Sequence, residues 1–319
     1  LPELNLLASS PEPQPEAICA RFSNDGNLLA FGSREKDVRI WASDLSEWKS
    51  LPRFTADPSV VRDVAFTPDG QFLVVGTDNG TVWTWELASQ TVQKVLRPVS
   101  GHVWSVAVSP SGSTEIFGCD GGSIVVNHRE NVGSHRRTLL RIEEPLNSAA
   151  FNPSQTLAGL IRRESGDVVL AETSSGKVLR TLQLTGAARP NCVSFSTISE
   201  TVWVGDDDGR IHEFNLLTGK SLRELKICDN SMDWMAISPS GALVAVRFGE
   251  PSVFGGMIWD LPTSHMRRLI PGSANPARRQ QMFGFVDEHH ILASRAREAL
   301  ILDLNSESPQ QIPLPSDSK

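Results

Sequence analysis

Three short segments carry the residue types from which active sites are built. Gly219-Lys220-Ser221 ends as a phosphate-binding loop ends, with a lysine for phosphate oxygens and a hydroxyl for magnesium. That loop also needs a glycine five residues upstream, where this chain has Phe214. Asp206-Asp207-Asp208-Gly209 offers carboxylates to a cation, but a calcium loop alternates its acids and adds a distant glutamate, whereas these are contiguous. His289-His290 is the closest pair among seven histidines, and neighbours on a strand point to opposite faces and cannot share a metal. There is no Gly-x-Ser-x-Gly, no His-Glu-x-x-His and no tyrosine. Cys19, Cys119, Cys192 and Cys228 show no metal-ligand spacing, and the first three sit in apolar strand patterns that suit small buried thiols. The expectation is therefore no catalysis, no metal and no cofactor. An enzyme site assembled from loops of separate repeats is the alternative that spacing cannot reveal.

The charge balance is 30 basic against 37 acidic residues, net −7, which argues against binding driven by phosphate neutralisation. Arg267, Arg268, Arg278, Arg279, Arg295 and Arg297 do cluster late in the chain, and they carry a second alternative, a nucleic-acid-associated factor. The same guanidiniums suit an acidic protein surface. No secretory signal and no run of 18 apolar residues is present, so no membrane span is expected. Sparse, unpaired cysteines suit a reducing, cytoplasmic setting. A start at Leu1 suggests a processed product or a domain cut from a longer chain.

What must position any site is a repeat. Ala65-Phe66-Thr67-Pro68-Asp69-Gly70 returns as Ala107-Val108-Ser109-Pro110-Ser111-Gly112 and as Ala236-Ile237-Ser238-Pro239-Ser240-Gly241. Looser copies surround Phe22, Phe151, Phe195 and Phe285. The anchors Phe22, Phe66, Val108, Phe151, Phe195, Ile237 and Phe285 are spaced by 44, 42, 43, 44, 42 and 48 residues. A period in the low forties, with alternating apolar residues and no 3.6-residue periodicity, is the signature of a β-propeller. Each unit reads as four antiparallel strands. In the second these fall near residues 61–66, 72–76, 81–85 and 92–96, with Pro-Asp-Gly and Asp-Asn-Gly turns between the first three. The second strand of most units is apolar on both faces, as in Leu28-Leu29-Ala30-Phe31, so each sheet needs a neighbour on either side and the units must stack in a ring. The expected fold is all-β, one seven-bladed propeller over residues 1–319.

The details resemble the WD-repeat family. Trp41, Trp85 and Trp259 end third strands where that family places its tryptophan, Trp259-Asp260 is a literal WD dipeptide, and Gly101-His102 opens the third unit as the family's Gly-His does. The resemblance covers residues 17 to about 304. The family's His-Ser-Asp-Trp hydrogen-bond set is complete in no unit: His102 is matched with Asn127 in the tryptophan position, and Asp208 with Phe214.

This resemblance implies a protein-interaction scaffold working within a multi-protein complex or a multidomain chain. In the family, the ring formed by the starts of the first strands is a mouth where peptides bind. Here those positions, four residues before each anchor, are Ile18, Arg62, Trp104, Asn147, Asn191, Asp233 and Gln281. Residues 249–256 and 271–279 read as two irregular loops on the same face and bring in Phe254, Arg278 and Arg279, with Trp234 beside the rim. The expected partner is a protein or peptide, with an acidic segment favoured by the arginines. Two segments compete for the outermost strand that closes the ring: Leu4–Leu7, and Ile312–Leu314 in the polar tail 305–319, where Pro313 cannot donate to a ladder.

Overall fold

A computed structural model describes residues 5–9, 17–23, 27–34, 36–43, 48–50, 54–55, 59–97, 101–109, 111–112, 114–120, 123–128, 136–141, 146–154, 156–173, 175, 177–186, 188–250, 253–273, 280–285, 287–295 and 298–305. Among these residues the strands form seven sheets, six of four strands and one of five. Six sheets take their strands in chain order, as antiparallel meanders. The second runs Val61–Phe66, Phe72–Thr77, Val82–Glu86, Thr91–Leu96. In the first sheet two short strands, Trp48–Ser50 and Phe54–Thr55, share the outer position beside Asp37–Ser43. Trp48 is therefore in a strand. Pro52, between the two pieces, cannot donate a ladder hydrogen bond.

The first strand of each sheet is the innermost. These strands are Ala17–Phe22, Val61–Phe66, Val103–Val108, Leu146–Phe151, Pro190–Phe195, Met232–Ile237 and Gln280–Phe285. Each packs against its successor, and the last packs against the first, so the contacts run in a closed circuit. The N-terminal strand Asn5–Ser9 pairs antiparallel with Glu298–Asp303 and takes the outer position of the last sheet. Residues 306–319, including Ile312–Leu314, lie outside the described residues.

Among the described residues, six apolar clusters lie between successive sheets. Val38, Ile40, Val61, Phe66 and Trp85 join the first two, and Leu243, Ile258, Ile291 and Leu302 join the last two. Second strands are buried on both faces, Thr201–Asp206 along its whole length. A glycine recurs in these strands at the point of closest approach. A Cβ on Gly76 would lie 2.8 Å from a methyl of Val103, and one on Gly205 would lie 2.7 Å from Cys192 Sγ. Four of the seven anchors are buried: Phe66, Val108, Phe195 and Ile237. Phe151 is only half-buried, because it also faces the central cavity.

Candidate functional site

A β-bulge recurs at one position of the inner strands. Pairing with the second strand slips between Ala17 and Cys19, Val61 and Asp63, Val103 and Ser105, Leu146 and Ser148, Pro190 and Cys192, and Met232 and Trp234. The skipped residues are Ile18, Arg62, Trp104, Asn147, Asn191 and Asp233, the rim positions that the repeat spacing singles out. A bulge leaves its extra residue out of the ladder and re-aims its side chain. Trp104 and Asp233 are accordingly exposed, and Ile18, Arg62 and Asn191 are half-buried at the mouth. Gln281 departs from the rule. It stays in register opposite Ser294, and the slip in the last sheet falls between Met282 and Gly284. A glycine at position 284, with φ 151°, accommodates the irregularity further along the strand.

The rim is braced by one device used three times. An aspartate after the second strand accepts the main-chain N–H that precedes or opens the inner strand: Asp78 from Val60 at 2.9 Å, Asp120 from His102 at 2.8 Å, and Asp207 from Arg189 at 2.7 Å. The main chain returns a bond from Asp78 N–H to Val60 and from Asp120 N–H to His102. Asp120 also accepts the Trp104 indole N–H at 2.6 Å. Burial alone would push the Asp120 carboxyl up, but the His102 and Trp104 donors, with the charges of His102 and Arg163, hold it below its ordinary value. Arg62 stacks over the Trp104 ring at 4.8 Å, and the His102 ring stands 5.1 Å away, tilted.

Below the mouth lies a cavity of ≈ 780 Å³ along the axis. Two ion pairs face it. Arg21 meets Asp63 at 3.3 Å, and Arg247 holds Asp233 through Nε at 2.7 Å and Nη2 at 3.2 Å. Asp63 Oδ2 also accepts Val106 N–H at 3.1 Å, tying the first three sheets together. Burial pushes the Asp63 carboxyl up, and Arg21 with the Val106 and Val64 N–H groups pulls it back only in part. Cys19 and Cys192 are unpaired thiols in the same wall, and burial pushes Cys192 up to about 12, so both are held as inert thiols.

Several sequence-picked features change. Residues 249–256 are no irregular loop: strands Leu243–Glu250 and Val253–Asp260 prolong the hairpin, with Glu250 opposite Val253. The third strand's partner also extends through Ser273, so residues 271–273 are strand as well. Gly and Pro suggested loops, but β-branched and aromatic residues around them favour a ladder. Phe254 is thus a strand residue. Trp234 is half-buried against the cluster between the last two sheets, with Phe285, rather than freely exposed. The side chains of Asn147, Phe254 and Gln281 lie outside the described set, as do Arg278 and Arg279. Arg267 is exposed and donates to Asn305 Oδ1 at 2.6 Å. Asp206, the first of the contiguous acids, is buried beside His212, with Oδ2 2.8 Å from Nε2, while Oδ1 accepts the N–H groups of Asp208 and Arg210. Cross-strand pairing brings the two together, and no local motif marks it. Among the described residues no cluster of three or more His, Cys, Asp or Glu is placed to hold a metal, and no helix is long and apolar enough to cross a membrane.

The repeat and its geometry agree with a family model. The WD domain, G-beta repeat model matches residues 13–42, 48–86 and 93–126. This part of the chain carries WD repeats, and the fold is a β-propeller. Its similarity to the human U3 small nucleolar RNA-associated protein 4 homolog is 22% identity over 85% of this chain and 39% of that protein. Echinoderm microtubule-associated protein-like 2 of Rattus norvegicus is 28% identical over 64% of this chain and 30% of its own length. The β-propeller domain of Cps50 (Swd1) from Myceliophteria thermophila superposes with a TM-score of 0.78 at 13% identity, over 94% of this chain and 99% of that one. The chain thus spans under two-fifths of the length of these curated relatives, while 94% of it superposes on a propeller domain.

Proposed function

We propose that this chain is a non-enzymatic protein-interaction module, a seven-bladed ring whose upper face, centred on the bulged rim, binds a partner segment with acidic side chains. The seven sheets and their closed circuit of inner-strand contacts support the blade number. The observation that carries the function is the repeated bulge. Six inner strands spend their one irregularity on turning Ile18, Arg62, Trp104, Asn147, Asn191 and Asp233 out of the ladder at a common level. A scaffold needing only stability gains nothing from interrupting its ladder there. A recognition surface gains a ring of side chains on a rigid support. Its composition suits protein contact, since binding energy concentrates in Trp and Arg. Membership of a larger assembly or longer chain is supported by relatives more than twice this length, one of them named for association with a small nucleolar RNA. Cysteines that form no disulfide among the described residues support a reducing compartment such as the cytoplasm.

The test is affinity purification with the tagged chain, followed by mass spectrometry, in three forms. The wild type defines the partner set. Trp104→Ala/Asp233→Ala alters the rim, and Lys177→Glu/Lys220→Glu alters the exposed opposite face. The rim variant is expected to lose the principal partner while the Lys variant retains it. Loss with the Lys variant and retention with the rim variant would place the contact on the other face.

A further inference from the structure

The channel mouth holds one more positive charge than it neutralises. Among the described residues that line the cavity, Arg21 is paired with Asp63 and Arg247 with Asp233. Arg62 lines the same cavity and pairs with no carboxylate among the described residues. Its Nε is buried and has no hydrogen-bond partner. A buried guanidinium N–H left unsatisfied is costly, and such an atom calls for an explanation. The side chain is also oriented. The bulge between Val61 and Asp63 turns it to the mouth, and the Trp104 ring lies 4.8 Å beneath its guanidinium. Trp104 cannot swing away freely, because Asp120 holds its indole N–H. The stack is therefore assembled before any ligand arrives, which lowers the ordering cost of binding.

From this geometry we infer that the mouth receives a single carboxylate-bearing side chain of a partner, a glutamate or aspartate, whose oxygens bond Arg62 and whose aliphatic stem lies on the exposed part of Trp104. This rests on the partner-binding reading above and adds the chemistry of the inserted group. One uncompensated guanidinium balances one negative charge. A phosphate dianion would ask for a second free cation, and the other two arginines in the wall are committed. A guanidinium with a free edge donates two parallel N–H bonds to a carboxylate, a geometry that lysine does not reproduce. The cavity lining also includes the small side chains Ser148, Ala149, Ala150 and Ser194, and its volume of ≈ 780 Å³ leaves room for an inserted side chain.

The probe is the blocked tripeptide acetyl-Gly-Glu-Gly-amide, with its Gln counterpart and inorganic phosphate as controls. Binding is read by NMR at the Trp104 indole N–H, identified by its loss in Trp104→Phe. The Glu peptide is expected to shift that resonance saturably in the millimolar range. The Gln peptide and phosphate should bind at least about tenfold more weakly. Arg62→Gln should abolish the Glu shift, and Arg62→Lys should weaken it by about tenfold, with the melting temperature unchanged in both. Equal shifts with Glu and Gln, stronger binding of phosphate, or an undiminished Glu shift in Arg62→Gln would each overturn the inference. The two readings fail separately. If the rim variant loses its protein partner but the Glu peptide gives no shift, the carboxylate pocket is wrong and the recognition face stands. If the peptide binds through Arg62 but rim substitution spares every partner, the pocket stands and the recognition face is wrong.

Discussion

Trp104 donates its indole N–H to Asp120 Oδ1 at 2.6 Å, while Asp120 Oδ2 takes the main-chain N–H of His102. One carboxylate thus fixes both the backbone entering an inner strand and the aromatic ring that the strand presents. Because these donors favour the charged form, Asp120 lies below its ordinary 3.8 in the folded protein. A lowered folded value contributes stability above 3.8 that is lost as pH falls through the folded value. Asp120→Ala is expected to cost about 1–2 kcal/mol at neutral pH, discounted for partial exposure, and to remove that acid-side loss. Urea melts at several pH values check both. An unchanged midpoint at neutral pH would mean the bracing bonds are replaced by water without cost.

Asp63 has the opposite sign. Burial raises its folded value above 3.8, so its contribution is fully present below 3.8 and is lost as pH rises through the raised value. Asp63→Asn keeps an oxygen for the Val106 N–H and frees Arg21, whose side chain is 48% exposed and can be hydrated. The variant should be at least as stable as the wild type at neutral pH and should lack the decline with pH in that window. A loss above about 2 kcal/mol would show that the Arg21 pair outweighs the burial of the charge.

The repeat was legible because Phe66-Thr67-Pro68-Asp69-Gly70 and its copies encode the same turn at a constant period, and turn chemistry is local. The rim level was legible for the same reason, by counting back from the anchors. The bulge that defines it was not, because Ile18, Arg62, Trp104, Asn191 and Asp233 share no residue type: the slip is a property of pairing between strands. The same limit hid Asp206 and His212, which meet only across a hairpin. Gly249 and Pro251 misled in the other direction. Gly249 stands in the ladder itself, opposite Phe254, and the pairing continues to Glu250 and Val253.

Phe66 and Phe151 occupy equivalent anchors but unequal surroundings. Phe66 is 7% exposed in the cluster between the first two sheets, whereas Phe151 is half-buried and faces the cavity. Phe66→Ala should cost about 3–5 kcal/mol and Phe151→Ala about half as much, measured by chemical denaturation with constant m-value. Equal costs would mean that the channel wall is packed as tightly as the space between sheets.

Closure of the ring depends on a strand borrowed from the other end of the chain. Asn5 opposes Asp303, Leu6 opposes Leu302, and after a slip Ala8 opposes Ile301 and Ser9 opposes Leu300. Without this strand, Glu298–Asp303 becomes an unpaired edge, and among the described residues the last sheet is tied to the first mainly by packing between Gln280–Phe285 and Ala17–Phe22. Deleting residues 1–10 should therefore remove four ladder positions and the covalent link they anchor. At about 2–4 °C per kcal/mol for a domain of this size, a loss of about 2 kcal/mol lowers the melting temperature by about 4–8 °C. Truncation after Asn305 leaves the pairing intact and should change it by less. Scanning calorimetry of the two deletions separates the cases. A silent N-terminal deletion together with a costly C-terminal one would mean that residues 306–319 supply the outer strand in solution.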